Sequence, residues 1–169
     1  TVPAGSNALL VYEATVNAFA PADTGSSIVN TASVTGGGLS AAVTDTAEIT
    51  AIQEASLTIS KSLCPETVTE NGQLTYTFVV QNTGNTEATS EDGVVLRDIF
   101  DPILDPISVT YNGETVSTPA FYTYDPSTGT FETVPGVITV PAATFAQDPT
   151  TGIITTTPGV AVVRVTGTI

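Results

Sequence analysis

The sequence has no histidine, methionine or tryptophan, and it contains only one cysteine. Basic residues are almost as scarce, with 3 Lys and Arg against 17 Asp and Glu, so the formal net charge is -14. Proteins bind nucleic acid largely by neutralising phosphates with Lys and Arg, and this composition therefore excludes nucleic acid as a partner. The same negative field would repel anionic lipid surfaces.

These absences also remove most catalytic chemistry. A chain without histidine lacks the usual general base of hydrolases and transferases, and Cys64 alone cannot form a disulfide within one chain. No loop has the spaced carboxylates of a calcium-binding motif, although weak cation binding between modules is an alternative use of the acidity. Gly36-Gly37-Gly38 does not precede a helix, which predicts a flexible hairpin loop and not a phosphate cradle. We therefore predict no enzyme activity, no cofactor and no metal site.

The residues that are abundant favour an all-β fold. Val, Ile, Thr, Tyr and Phe recur between clusters of Gly, Pro, Asn and Asp, and apolar residues alternate with polar ones at period 2. Short antiparallel strands at regular spacing, separated by turn signals, are typical of a β-sandwich in which each strand buries one face. No apolar run is long enough for a transmembrane helix, so we expect no membrane insertion. The predicted strands are 10–16, 28–34, 43–49, 57–63, 74–82, 94–100, 108–111, 121–124, 137–140 and 161–165, with turns at 71–72, 112–113, 125–129 and 148–152.

The pattern divides the chain into two modules. The segment 51–56 is the best boundary, which gives residues 1–54 and 56–169. Residues 1–54 are too few to close a sandwich and would leave a hydrophobic face and a strand edge exposed, so we expect a neighbouring copy or the second module to cover them. Residues 163–169 also run naturally into residues 1–5, as in a tandem array, unless this is a coincidence between Val- and Thr-rich strands.

Polar residues on apolar strand faces are the most pointed feature. Lys61, the only lysine, aligns with apolar residues of strand 57–63, and Asp98 and Asn30 occupy equivalent positions in their strands. Burial would favour a neutral, nucleophilic lysine and a protonated aspartic acid, which are the conditions for a Lys–Asn isopeptide bond. A buried ion pair beside an Asn bonded to the backbone is the alternative. Asp45 and Asn82 also point to apolar faces, so they are second candidates for the acid and the acceptor.

The same strands carry a family resemblance. Leu-Thr-Ile-Ser-Lys at 57–61, the run from Gly72 to Gly84 and Val-Val-Leu-Arg-Asp at 94–98 resemble the conserved-repeat Ig-like domain of bacterial surface proteins and the related isopeptide-forming fimbrial shaft domain. The resemblance implies Lys61 as the amine, Asp98 as the acid and Asn30 as the acceptor. In that family a strand Ile-Val-Asn-Thr-Ala-Ser-Val closes the module, and here it lies upstream of Lys61. A bond between Lys61 and Asn30 would then join neighbouring copies, and the alternative is that no bond forms.

These observations predict an Ig-like module of an extracellular bacterial surface fibre, whose partners are copies of itself joined by β-strand addition. The alternative is an adhesin that presents loops 85–93 or 112–120 to a glycan or a host protein. A third possibility is a glycoside hydrolase that uses Asp98, Asp101 and Asp105. It is weaker because Asp101-Pro102 and Asp105-Pro106 are typical turn pairs.

Overall fold

A computed structural model describes residues 2–17 and 19–169, and in these residues the protein is all-β. A single turn of 3-10 helix at Ser90–Asp92 is the only helical element that these residues contain. Within the same residues, no helix has the length and apolarity needed to cross a membrane. The strands are β1 Ser27–Val34, β2 Val43–Thr50, β3 Leu57–Cys64, β4 Gln73–Asn82, β5 Arg97–Ile99, β6 Ile107–Tyr111, β7 Glu114–Val116, β8 Tyr122–Asp125, β9 Thr130–Thr133, β10 Thr144–Gln147, β11 Ile154–Thr157 and β12 Gly159–Thr168.

The predicted sandwich is confirmed. One antiparallel sheet has the strand order β3-β4-β12-β6-β7, and the other has the order β5-β9-β8. Alternate residues of β4 and β12 point between the sheets and are buried, as period 2 dictates for a strand with one face in the core. Phe100 lies at the centre of this core, with its ring stacked on Tyr76 at 4.9 Å and tilted against Phe131 at 5.6 Å between centroids. Aromatic packing of this kind adds to the stabilisation by burial.

Two hairpins lie outside these sheets. Strands β1 and β2 form an antiparallel pair in which Ile28 lies opposite Ile49 and Val34 opposite Val43. The three glycines of the connecting loop have positive φ, as expected for a flexible hairpin loop. Strands β10 and β11 form a second, shorter pair. All buried core residues lie between positions 74 and 165. This distribution is consistent with the predicted division of the chain at 51–56, which stays a prediction.

Some predicted strands differ from the structure. Residues 10–16 are not a strand, because alternation selects a face but a strand also needs a partner ladder, and none is paired with them in the described residues. Segment 137–140 contributes one isolated bridge, between Val140 and Ala88. Strands β7, β9, β10 and β11 are not predicted, since each is only 3 or 4 residues long and too short to establish a period of 2.

The prediction that segments 28–34, 43–49 and 57–63 each bury one face is wrong for the chain by itself. Their apolar residues do share a face, but that face is exposed in β1, β2 and β3. The reason is the missing second layer, because a strand face is buried only when another sheet or helix packs on it.

Candidate functional site

The sandwich is open along one side. Strand β3 is the last strand of one sheet and β5 is the last strand of the other, and a cleft of about 210 Å³ lies between them. We call this gap between β3 and β5 the open seam. Its walls are mostly apolar, and they are formed by β3, β4, the residues directly before β5 and one residue before β10: Leu57, Thr58, Ile59, Val80, Val94, Val95, Leu96 and Ile138. Ile59 is 61% exposed, although it lies on the same face of its sheet as the buried Val80.

Lys61 and Asp98 meet across the open seam. Lys61 lies opposite Phe78 in the β3–β4 ladder, and its ammonium group donates a short hydrogen bond to the Asp98 carboxylate on β5. The Lys61 Nζ also lies 4.4 Å from the centroid of the Tyr76 ring and 5.9 Å from that of Phe100. The structure therefore brings the predicted amine and acid together, 37 residues apart in sequence, over the edge of the aromatic core.

Neither side chain is fully buried, which differs from the premise of the isopeptide hypothesis. The Lys61 side chain is 39% exposed and the Asp98 side chain 20% exposed, because the seam above them is uncovered. An ion pair with this exposure contributes about 1 kcal/mol or less. A second layer over the seam would remove water from both groups and produce the environment that the hypothesis requires.

The predicted acceptor lies elsewhere. Asn30 is in the middle of β1, on the same exposed face as Ile28 and Val34, and its Nδ2 donates to the Tyr12 hydroxyl at 2.6 Å. Asp45 lies on the same face of the hairpin, in the partner strand and opposite Ala32. The β1–β2 hairpin thus presents an apolar face with an amide and a carboxylate near its centre.

Asn82 has a different role. It is fully buried at the end of β4, where its Oδ1 accepts hydrogen bonds from the Ser56 and Gly84 amides, each at 2.9 Å. Its Nδ2 donates to the carbonyl oxygen of Thr86 at 2.7 Å and to that of Val140 at 3.4 Å. These bonds satisfy the amide group, so Asn82 functions as a structural residue of the loop that follows β4.

Other charged residues near the seam have partners of their own. Arg97 on β5 forms a forked pair with Glu132 on β9, with Nη2–Oε1 at 2.7 Å and Nε–Oε2 at 3.1 Å. This hydrogen bonding lowers the pKa of the Glu132 carboxyl and raises that of the Arg97 guanidinium. Asp101 and Asp105 are exposed in the bends after β5, which is where the turn interpretation places them.

The open side of the sandwich is the candidate functional feature that sequence reasoning missed. Residues 56–169 contain enough strands to suggest a closed sandwich, and the exposure of β3 appears only when the partners of each strand are known. One signal was present, because the family resemblance places the closing strand upstream of Lys61 and so outside residues 56–169. Comparisons of the chain with protein-family models, with curated proteins and with solved structures found no match. The family resemblance therefore stays a prediction.

Proposed function

We propose that the chain is a structural subunit of an extracellular bacterial surface fibre, in which the β1–β2 hairpin of one copy covers the open seam of the next. One observation carries the proposal: a single chain presents both an apolar hairpin face and an apolar open seam, and both are exposed. Contiguous exposed apolar faces on a folded protein often mark an interface. Two different surfaces on the same chain make a heterologous contact, which propagates into a filament when it does not close into a ring.

The two surfaces match in length and pattern. Strands β1 and β3 are both 8 residues long, and each has one face with three apolar residues and a single polar one, Asn30 in β1 and Lys61 in β3. Addition of a strand to an unpaired edge provides main-chain hydrogen bonds, while the alternate side chains set the register. Isolated two-stranded hairpins are marginal in water, so the hairpin would gain stability from the layer that it covers.

A covalent staple completes the proposal. With a hairpin in the seam, the Lys61 Nζ attacks the side-chain carbonyl carbon of Asn30 in the neighbouring copy. The carbon–nitrogen bond of the carboxamide breaks, ammonia leaves, and Asp98 carries the proton from the amine to the leaving group. Contact between Lys61 and Asp98 supports this assignment, as do the central positions of Lys61 in β3 and Asn30 in β1.

Assembly is tested on the full chain. Light scattering over a concentration series should show growth above a critical concentration, and electron microscopy should show filaments with one chain per repeat. Particles that remain single chains at every concentration would refute the fibre. If such single chains bind a glycan that protects loop 85–93 or 112–120 in hydrogen exchange, the adhesin alternative is supported.

The staple is tested by mass. Each bond releases one ammonia, so a linked dimer should weigh about 17 Da less than two chains. Stapled filaments should give a ladder of linked species on a denaturing gel, and Lys61→Arg should abolish the ladder while keeping the charge next to Asp98. Filaments that dissolve in denaturant into chains of unchanged mass would eliminate the staple and leave the ion pair.

A further inference from the structure

The Asn85 side chain makes three hydrogen bonds to the segments on either side of the β1–β2 hairpin. Asn85 lies in the loop that follows β4, and its Oδ1 accepts a hydrogen bond from the Glu54 amide at 3.1 Å. Its Nδ2 donates to the carbonyl oxygens of Ile52 and Ala22, both at 2.8 Å. Ala22 precedes β1 and Ile52 follows β2, so Asn85 ties both ends of the hairpin to the sandwich. We call the contact of residues 82–86 with residues 52–56 and Ala22 the joint.

The backbone of the joint packs closely as well. The Thr83 amide donates to the Ser56 carbonyl oxygen at 2.9 Å, and the Ser56 amide donates to the Oδ1 of Asn82. Gly84 is pressed against the linker, because a Cβ at this position would overlap the carbonyl oxygen of Glu54. A linker with this many specific contacts is a fixed connection and not a flexible tether.

The β10–β11 hairpin supports the joint from another side. The ring of Phe19 lies beside Gly152, where a Cβ would be 3.5 Å from the ring. Phe145 of β10 shares a small cleft with Ala22 and Ile52. The segments before and after β1–β2 therefore contact both the loop after β4 and the β10–β11 hairpin.

This fixation matters because the linker leads directly into the open seam. Leu57, which follows residues 52–56, is the first residue of β3 and part of the seam wall. A flexible linker of this length would present the hairpin to its own seam at an effective concentration on the order of millimolar, well above that of any neighbour. The structure nevertheless leaves β1 and β2 exposed along their length.

We propose that Asn85 is a positioning residue that holds the hairpin off the seam of its own chain and so directs complementation to the next copy. This inference rests on the proposed function, since it explains why the contact forms between chains and not within one. It predicts that loosening the joint converts assembling chains into closed single chains.

The experiment measures the position of the hairpin and the assembly together. Spin labels on Ser33→Cys and Ser117→Cys, in a Cys64→Ser background, report the distance from β1 to the far side of the sandwich by pulsed electron resonance. Labelled chains are diluted into an excess of unlabelled ones, so that each distance is within one chain. The intact joint should give one narrow distance. Asn85→Ala should broaden it about twofold or add a second distance, and should raise the critical concentration by about tenfold or more.

Two further variants separate positioning from folding. Asn85→Asp keeps the acceptor for the Glu54 amide but turns a carboxylate oxygen toward the carbonyl oxygens of Ile52 and Ala22, so it should loosen the joint at least as much as Asn85→Ala in a folded chain. Asn112→Gly is the matched control. The Oδ1 of Asn112 accepts a hydrogen bond from the Val162 amide far from the linker, and glycine adopts the positive φ of this position without strain. This variant should therefore keep the distance and the critical concentration of the unchanged protein.

The outcomes distinguish the two proposals. If Asn85→Ala keeps the narrow distance and the original critical concentration, the positioning role is refuted while the fibre stands. If the unchanged protein never assembles, the fibre is refuted. In that case, a hairpin that already lies on the seam of its own chain would refute the positioning role as well. A single narrow distance with the hairpin away from the seam, lost in Asn85→Ala, would instead support the positioning role without the fibre.

Discussion

Truncation of one seam residue should weaken assembly much more than folding. Ile59 lies on β3 opposite Val80, and it is 61% exposed in the single chain. Complete burial of an isoleucine side chain contributes roughly 1.5–3 kcal/mol, so covering the exposed part of Ile59 should contribute about 1–2 kcal/mol to each subunit contact. Most of this contribution is absent in Ile59→Ala. The free chain loses only the smaller part that is already buried, about 1 kcal/mol or less.

The assay compares assembly with stability in the same variants. A loss of about 1–2 kcal/mol per contact corresponds to a roughly 5- to 30-fold rise in the critical concentration, measured by sedimentation of serial dilutions. Val160→Ala is the matched control, because Val160 is 43% exposed on the outward face of β12, away from the seam. Urea denaturation of both variants measures the free energy of unfolding.

Equal rises in the critical concentration for the two variants would refute the seam contact, because the weaker assembly would then not depend on the open seam. An unchanged critical concentration in Ile59→Ala, with a destabilised folded chain, would also refute it. In that case Ile59 would contribute only to the packing of its own chain.

Three further predictions concern the sandwich itself. Asn82→Ala should destabilise folding by about 2–4 kcal/mol in urea denaturation, since it leaves buried amide and carbonyl groups without partners, whereas a loss below about 1 kcal/mol would contradict the structural role. Phe100→Ala should lower the free energy of unfolding by about 3–5 kcal/mol, because it leaves a cavity at the centre of the aromatic core. Thermal unfolding measures this loss, and a loss below about 1 kcal/mol would mean that the two sheets pack differently. Hydrogen bonds from the Thr151 and Thr150 amides hold the pKa of Asp148 below its ordinary value. The stability that this carboxylate provides is therefore present above about pH 4 and is lost as the pH falls through the lowered pKa, so Asp148→Asn should show a shallower loss of stability in acid.

The fold was largely predictable where a strand has neighbours on both sides. Alternation in 74–82 identifies the buried face of β4 correctly, because β4 lies between β3 and β12 and is covered by the second sheet. Asn112-Gly113 predicts a tight turn, and both residues have the positive φ that such a turn requires. Segment 10–16 has an equally good pattern and is not a strand. A pattern states which face a strand would bury, and it does not state whether a partner is present.

The candidate site was predictable only in part. Lys61 and Asp98 could be paired from sequence, because each interrupts an apolar face and an isolated charge there would be costly. Asn85 could not be identified, since its three partners are backbone groups and leave no pattern in the side chains. The run Asn-Thr-Gly-Asn-Thr reads as an ordinary turn. The joint becomes visible only when the linker is placed against it.

The distribution of basic residues also bears on how the protein resists proteolysis. Proteases of the trypsin type cut after Lys or Arg, and residues 1–60 contain neither, although β1 and β2 are exposed. The only cleavage positions are Lys61, Arg97 and Arg164, and each lies within a hydrogen-bonded strand, where the backbone does not fit a protease cleft without local unfolding. The segment proposed to connect the copies is thus the one that such proteases leave intact. A digest of native material should therefore leave the chain uncut, whereas the unfolded chain should be cut after these three residues.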